Sequence, residues 1–202
     1  MKLGVIVVVA VSFLTACATA PPRQTNNICS IFSEKRSWYK AAKKSEQRWG
    51  SSIPIMMAFM HQESRFVSKA KPPRKKILGF IPGPRKSSAY GYSQAQTGTW
   101  KWYQKSTGNW SADRDDFQDA IDFIGWYNTQ TKKQNGVGVS NAYSLYLAYH
   151  EGHGGFKKKS YNKKPWLKTV AKKVAAQSKK YAKQLRSCES KFSSKGRSLW
   201  PF

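Results

Sequence analysis

The chain has 202 residues, a length that suits one domain with its own hydrophobic core. It carries 36 Lys and Arg against 10 Asp and Glu, which gives a formal net charge of +26. This excess indicates an anionic partner or surface: nucleic acid, lipid head groups, lipopolysaccharide and the bacterial wall polymer all qualify. Charge alone does not choose among them, and it carries no information on the fold.

Residues 1–16 have the pattern of a signal peptide. A short basic start precedes an uncharged apolar run over residues 4–14. That run is too short for a comfortable transmembrane helix and is typical of a signal-peptide core. The next residues, Leu-Thr-Ala-Cys, resemble the bacterial lipoprotein box, whose cysteine is acylated after cleavage. The resemblance predicts lipidation of Cys17. Because Ala18 rather than Asp follows it, the resemblance also implies a lipid-anchored protein at the periplasmic face of the outer membrane.

The remaining chain is predicted to divide into three parts. Residues 17–28 form the acylated cysteine and a Pro-containing polar tether, residues 29–190 the domain, and residues 191–202 a C-terminal tail. Cys29 and Cys188 lie near the two ends of the domain. In an oxidising compartment such a pair favours a disulfide, with two free buried thiols as the alternative.

Apolar residues recur with helical spacing along most of the domain. A first helix is predicted over residues 31–49, where Gly50 ends it, and a second over residues 53–63, with Ser52 as N-cap and Pro54 in its first turn. Further helices are predicted over residues 99–107, 113–134, 140–150 and 165–189. No strand-period segment of useful length is found, so the predicted class is mainly α.

Residues 67–88 are predicted to form a long basic loop. Lys and Arg alternate there with Pro and Gly, at a density that excludes a regular helix. An apolar segment, residues 77–81, lies inside it. Long loops of this kind are often functional. We hypothesise that the basic loop guides the protein onto an anionic surface or covers a binding cleft, and a solvated run of charge is the alternative.

Glu63 is the candidate catalytic residue. It follows the apolar run of residues 53–60 in a chain with few acidic residues. A carboxylate at the buried end of an apolar helix has its charged form desolvated, which raises its pKa. Such a carboxylic acid can donate a proton near neutral pH. The alternative is a glutamate that is merely solvated or paired with Arg.

Three motifs, taken in order, resemble the lytic transglycosylase family. Glu63-Ser64 stands where the family has its catalytic Glu-Ser, Gly91-Tyr92-Ser93-Gln94 where it has Gly-Leu-Met-Gln, and Ala148-Tyr149-His150 where it has Ala-Tyr-Asn. The resemblance covers roughly residues 53–156. It implies a single lysozyme-like helical domain of the goose-type, or SLT, fold.

The resemblance further implies a reaction on the glycan strands of peptidoglycan, with no cofactor. Glu63 would be the single acid/base. It would protonate the glycosidic oxygen after N-acetylmuramic acid, then take the proton of that sugar's C6 hydroxyl, which closes a 1,6-anhydro ring. Gln94 would line the saccharide cleft, and Tyr149 would hydrogen-bond near Glu63 and orient it. The protein is expected to act as a monomer, with an anionic surface or an envelope protein as a possible second partner. Other candidate substrate contacts are Tyr92, Ser93 and His150.

Three alternatives remain open. Glu63 and Glu151 could form the two-carboxylate pair of a hydrolytic, lysozyme-like muramidase. The chain could also be a non-catalytic lipoprotein that binds the wall or nucleic acid through its charge. Finally, three histidines could bind zinc, but the His-Glu-Gly-His spacing is unlike the helical His-Glu-x-x-His arrangement, so no metal is predicted. These histidines are His61, His150 and His153.

Overall fold

A computed structural model describes residues 20–193, apart from the side chain of Lys75. The predicted signal peptide, Cys17 and residues 194–202 of the predicted tail lie outside this range. Within it, no helix is both long and apolar enough to cross a bilayer. Residues 20–193 form eight helices, a 3₁₀ turn at Ser160–Lys163 and a β-hairpin. The helices are α1 (Ile28–Glu34), α2 (Arg36–Trp49), α3 (Ile53–Ser64), α4 (Thr97–Thr107), α5 (Phe117–Asn135), α6 (Ala142–Lys157), α7 (Pro165–Cys188) and α8 (Ser190–Ser193).

The mainly α class is confirmed, and helix α3 is at the centre of the fold. Every residue over 53–60 is buried, so this helix has no polar face to turn toward water. It is therefore surrounded: α7, α5 and α2 all pack against it. The last turn of α3 carries Glu63 and ends at Arg65, which adopts a left-handed conformation.

Several helix boundaries differ from those predicted. The helix predicted over residues 31–49 is two helices, α1 and α2, which are separated at Lys35. Trp38 of α2 stacks on Phe117 at the start of α5, with ring centroids 4.0 Å apart. Helix α6 runs beyond the predicted end at residue 150, and Gly152 interrupts it with non-helical torsions (φ 71°, ψ 161°). Aromatic packing and this kink are tertiary features that helical spacing does not reveal.

The domain begins before residue 29 and ends after residue 190. Pro22 is buried, and the carbonyl of Thr25 accepts a hydrogen bond from the hydroxyl of Tyr181. The side chain of Asn27 caps α1 by accepting from the backbone N–H groups of Cys29 and Ser30. At the other end, the ring of Phe192 packs against those of Phe32 and Tyr39. The described part of the predicted tether is thus part of the packed domain.

The basic loop contains a β-hairpin, which the sequence prediction missed. Strands β1 (Arg74–Ile77) and β2 (Ile81–Arg85) pair antiparallel, with Ile77 opposite Ile81. Leu78, Gly79 and Phe80 connect them as a three-residue hairpin loop, in which Leu78 and Gly79 have positive φ. The side chains of Leu78 and Phe80 are 79% and 75% exposed. Strands of four and five residues are too short to show the polar–apolar alternation by which strands are recognised, and two prolines interrupt β2.

A disulfide joins Cys29 in α1 to Cys188 at the end of α7, with Cα atoms 6.0 Å apart. The two cysteines are 159 residues apart in the chain, and the bond links the short helix α1 to the end of the long helix α7.

The Cys29→Ala/Cys188→Ala variant should lose about 2–5 kcal/mol of unfolding free energy, because the bond restricts the unfolded chain. Urea denaturation of the oxidised wild type and the variant measures this. Reductant should destabilise the wild type and leave the variant unchanged. Equal stability of the two oxidised proteins would contradict the structural role of the bond.

Candidate active site

A cleft of about 460 Å³ opens at the end of α3. Its walls come from α3, from the segment that follows the hairpin, and from helices α4, α5 and α6. Residues of all three sequence motifs meet there. They are Glu63, Gln94, Tyr149 and His150, with Glu151 beside them.

The Glu63 carboxyl lines this cleft, and the residue is half-buried. Burial raises the pKa of Glu63 from its ordinary 4.5 to about 7, and a hydrogen bond with the side chain of Tyr146 acts in the opposite direction. Among residues 20–193, Glu63 has no ion-pair partner. A carboxyl group with this pKa is present in both protonation states near neutral pH, as an acid/base catalyst requires.

Two tyrosines on α6 form hydrogen bonds at the site, whereas the sequence prediction named only Tyr149. Tyr146 and Tyr149 are three residues apart and therefore lie on the same side of the helix. The Tyr149 hydroxyl donates to the carbonyl of Ser93 at 2.6 Å, whereas Tyr146 forms the hydrogen bond with Glu63. Tyr149 thus forms its hydrogen bond close to Glu63 but not to its carboxyl, and the sequence prediction did not include Tyr146. Its position one turn before Tyr149 was the available signal.

The second motif is shaped by close backbone contacts. Gly91 has a φ of +78°, and a Cβ atom there would lie 2.0 Å from the carbonyl oxygen of Arg114. No other residue type fits this approach. Gln94, also at positive φ, donates its side-chain amide to the carbonyls of Ala70 and Gly91 at 3.0 and 2.9 Å. Gln94 lines the cleft, and its amide hydrogen bonds also hold this turn in place.

Tyr92 and Ser93 do not line the cleft, contrary to the prediction that they contact substrate. Tyr92 is 2% exposed and packs edge-on against Trp38 and Phe117. Ser93 is fully buried. The Tyr92 ring lies between α2 and α5, and this part of the motif contributes to the site through the Ser93 carbonyl, which accepts from Tyr149.

Glu151 is held by three donors and is almost inaccessible. Its side chain is 3% exposed, its Oε1 lies 2.8 Å from Lys164 Nζ and 3.1 Å from His150 Nδ1, and Ser160 donates to its Oε2. Burial would raise the pKa of Glu151, but the hydrogen bonds from Lys164, Ser160 and His150 outweigh it and lower the pKa to about 2. Glu151 is therefore ionised throughout the pH range in which Glu63 titrates.

The three histidines have separate surroundings. His61 contacts Phe66 and Tyr181, His150 contacts Glu151, and the ring of His153 stacks on Tyr127. Within residues 20–193, no group of three or more His, Cys, Asp or Glu side chains is arranged to hold a metal ion. The zinc alternative thus lacks a ligand cluster in this part of the chain.

A family model described as the Transglycosylase SLT domain matches residues 5–188. The match spans all three motifs and confirms the resemblance that they carry. No curated protein matches the chain at a significant level.

The pKa of Glu63 should be visible in the pH dependence of stability. Because folding raises this pKa, the protonated carboxyl stabilises the fold fully below about pH 4.5, and the contribution is lost as pH rises to about 7. Relative to the Glu63→Gln variant, which cannot ionise at this position, the wild type should lose up to about 3 kcal/mol between about pH 4 and about pH 8. Denaturant unfolding of both proteins at the two pH values measures the difference. Parallel stability curves would show that Glu63 titrates as it does in the unfolded chain.

Proposed function

The chain belongs to the Transglycosylase SLT domain family, and from that premise we propose that it cleaves peptidoglycan glycan strands by lytic transglycosylation, with Glu63 as the single acid/base. Family membership indicates a peptidoglycan transglycosylase in general terms. The identity of the catalytic group and the 1,6-anhydro product are our proposal. The observation that carries it is the Glu63 carboxyl in the lining of the cleft, with a pKa raised by burial to about 7.

Glu63 acts twice in the proposed reaction, first as an acid that donates a proton and then as a base that accepts one. Protonated Glu63 donates to the glycosidic oxygen between N-acetylmuramic acid and N-acetylglucosamine, and the bond from that oxygen to C1 breaks. The resulting carboxylate takes the proton of the C6 hydroxyl of the muramic acid while O6 bonds to C1. A 1,6-anhydro ring forms, Glu63 is protonated again, and no water is consumed. Because the pKa of Glu63 lies near the working pH, neither of the two proton transfers is strongly unfavourable.

Tyr146 is the positioning residue for this group. Its hydroxyl donates to the Glu63 carboxylate, which stabilises the charged form and moderates the effect of burial on the pKa. The hydrogen bond also fixes the orientation of the carboxyl group toward the cleft. Gln94, Tyr149 and His150 are placed to contact the saccharide, since all three line the cleft.

One observation favours the hydrolytic alternative. Glu63 and Glu151 line the same cleft with pKa values shifted in opposite directions, as in glycosidases that use two carboxylates. The contacts of Glu151 argue against such a role, because a nucleophile or base needs a free, accessible oxygen. Glu151 is 3% exposed and its charge is balanced by Lys164. We therefore assign Glu151 to holding the kinked end of α6.

We also propose that the protein is anchored by acylated Cys17 at the periplasmic face of the outer membrane. The lipoprotein box supports this location, and the Cys29–Cys188 disulfide agrees with an oxidising compartment. Pro22, five residues after Cys17, is already buried against the domain. Such an anchor would hold the cleft-bearing domain close to the bilayer.

The two carboxylates can be separated by matched variants. Glu63→Gln should reduce the cleavage of purified wall sacculi by at least about 100-fold, because the general acid is lost. Glu151→Gln should retain cleavage and give the same products. Mass spectrometry of the released muropeptides identifies 1,6-anhydro ends.

Reducing ends with incorporated water, together with loss of activity in Glu151→Gln, would establish the hydrolytic alternative. Full activity of Glu63→Gln would remove Glu63 from the mechanism. Binding to sacculi without any released product from the wild type would support the non-catalytic alternative.

Tyr146→Phe should move the high-pH limit of activity upward, because removal of a donor to the carboxylate raises the pKa of Glu63 further. Initial rates from about pH 5 to about pH 9 measure this shift. Tyr143→Phe, on the same helix and outside the cleft lining, is the control and should leave the profile in place. A Tyr146→Phe profile that loses rate equally at every pH would indicate a packing role only.

A further inference from the structure

A second groove, of about 430 Å³, lies beside the catalytic cleft. Ser87 and Ala89 line both cavities, so the two are neighbours along one surface. The groove is lined by three basic side chains and an aromatic ring. These are Lys71, Arg85, Arg114 and Tyr90.

Two of these cations lie against the same ring. Lys71 Nζ is 5.3 Å and the Arg114 guanidinium carbon 5.2 Å from the ring centroid of Tyr90. The Arg114 Nη1 atom donates to the carbonyls of Ser88 and Ala95, each at 2.9 Å. Arg114 is therefore held in position before any ligand binds, with its remaining N–H donors still available.

None of the three cations has an acidic partner. Across residues 20–193, Lys71, Arg85 and Arg114 form no ion pair with a carboxylate. Asp115 lies close by, but its carboxylate accepts a hydrogen bond from the Tyr90 hydroxyl at 3.0 Å. A groove with several unpaired cations attracts an anion, and guanidinium groups are suited to carboxylates.

The groove is fixed relative to the catalytic cleft by the second motif. The backbone N–H of Tyr92 donates to the carbonyl of Arg114 at 3.0 Å, next to the close approach of Gly91. On the opposite side, β2 carries Arg85 and leads directly into Ser87 and Ala89. The base of the hairpin is thus one wall of the groove, and a ligand that fills the cleft can extend into it.

We propose that this groove binds a free carboxylate of the peptide stem that muramic acid carries, so that the protein selects glycan strands with peptide stems over bare strands. The inference rests on the proposed function, since it takes the ligand of the groove to be a continuation of the substrate in the cleft. The hairpin then contributes to substrate selection through Arg85 at its base.

The test compares glycan strands with intact stems and the same strands after the stems have been removed enzymatically. Binding is measured with the full chain carrying Glu63→Gln, which prevents cleavage. This protein should bind strands with stems at least about 5-fold more tightly, and adding Lys71→Glu should remove most of that preference. Arg85→Gln should reduce it independently. Lys172→Ala, an exposed lysine on α7, should not affect it.

Equal binding of the two strand preparations, or a preference that survives both Lys71→Glu and Arg85→Gln, would overturn the proposal. A cleavage assay with the wild type distinguishes failure of the groove proposal from failure of the proposed function. If the wild type binds strands with stems preferentially but releases no 1,6-anhydro product, the groove proposal stands and the proposed chemistry is wrong. If both strand types are bound equally and cleaved at the same rate, the proposed chemistry stands and the groove proposal is wrong.

Discussion

The desolvation of one carboxyl group, that of Glu63, connects the core of this protein to its cleft. Helix α3 is apolar on all sides over residues 53–60, so it is stable only when α2, α5 and α7 cover it. Glu63 is on its final turn, where the covering helices leave the cleft open. The carboxyl group is removed from bulk water without gaining a cationic partner in the described chain, and the resulting pKa of about 7 follows from the way the core is built.

The remaining motif residues mainly hold the geometry around that group. Tyr149 joins α6 to the second motif through the Ser93 carbonyl, and Gly91 brings that motif against Arg114. These contacts set the spacing between the end of α3 and the opposite walls of the cleft. The same contact at Arg114 places the cationic groove beside the cleft. The cleft and the cationic groove therefore both depend on one short segment, the turn at residues 91–94.

How much the sequence could predict depended on whether the determining interaction was local. The helix before Glu63 and the effect of burial on its carboxyl follow from a continuous apolar run, so they could be predicted. The directions of Tyr92 and Ser93 could not, because a motif gives the position of a residue and not the side of the turn it faces. Tyr146 was missed because its hydrogen bond exists only when α6 packs beside α3. The hairpin was missed because its signal is the three-residue turn at 78–80, and its two strands are too short to show an alternating pattern.

Direct titration of the Glu63 carboxyl tests the central claim. Carboxyl carbon NMR of the protein with labelled glutamate, compared with the Glu63→Gln variant, isolates the resonance of this group. The account predicts a midpoint near pH 7, well above the ordinary value of 4.5. A midpoint near 4.5 would contradict it, because Glu63 would then be a solvated carboxylate that cannot serve as the acid at neutral pH.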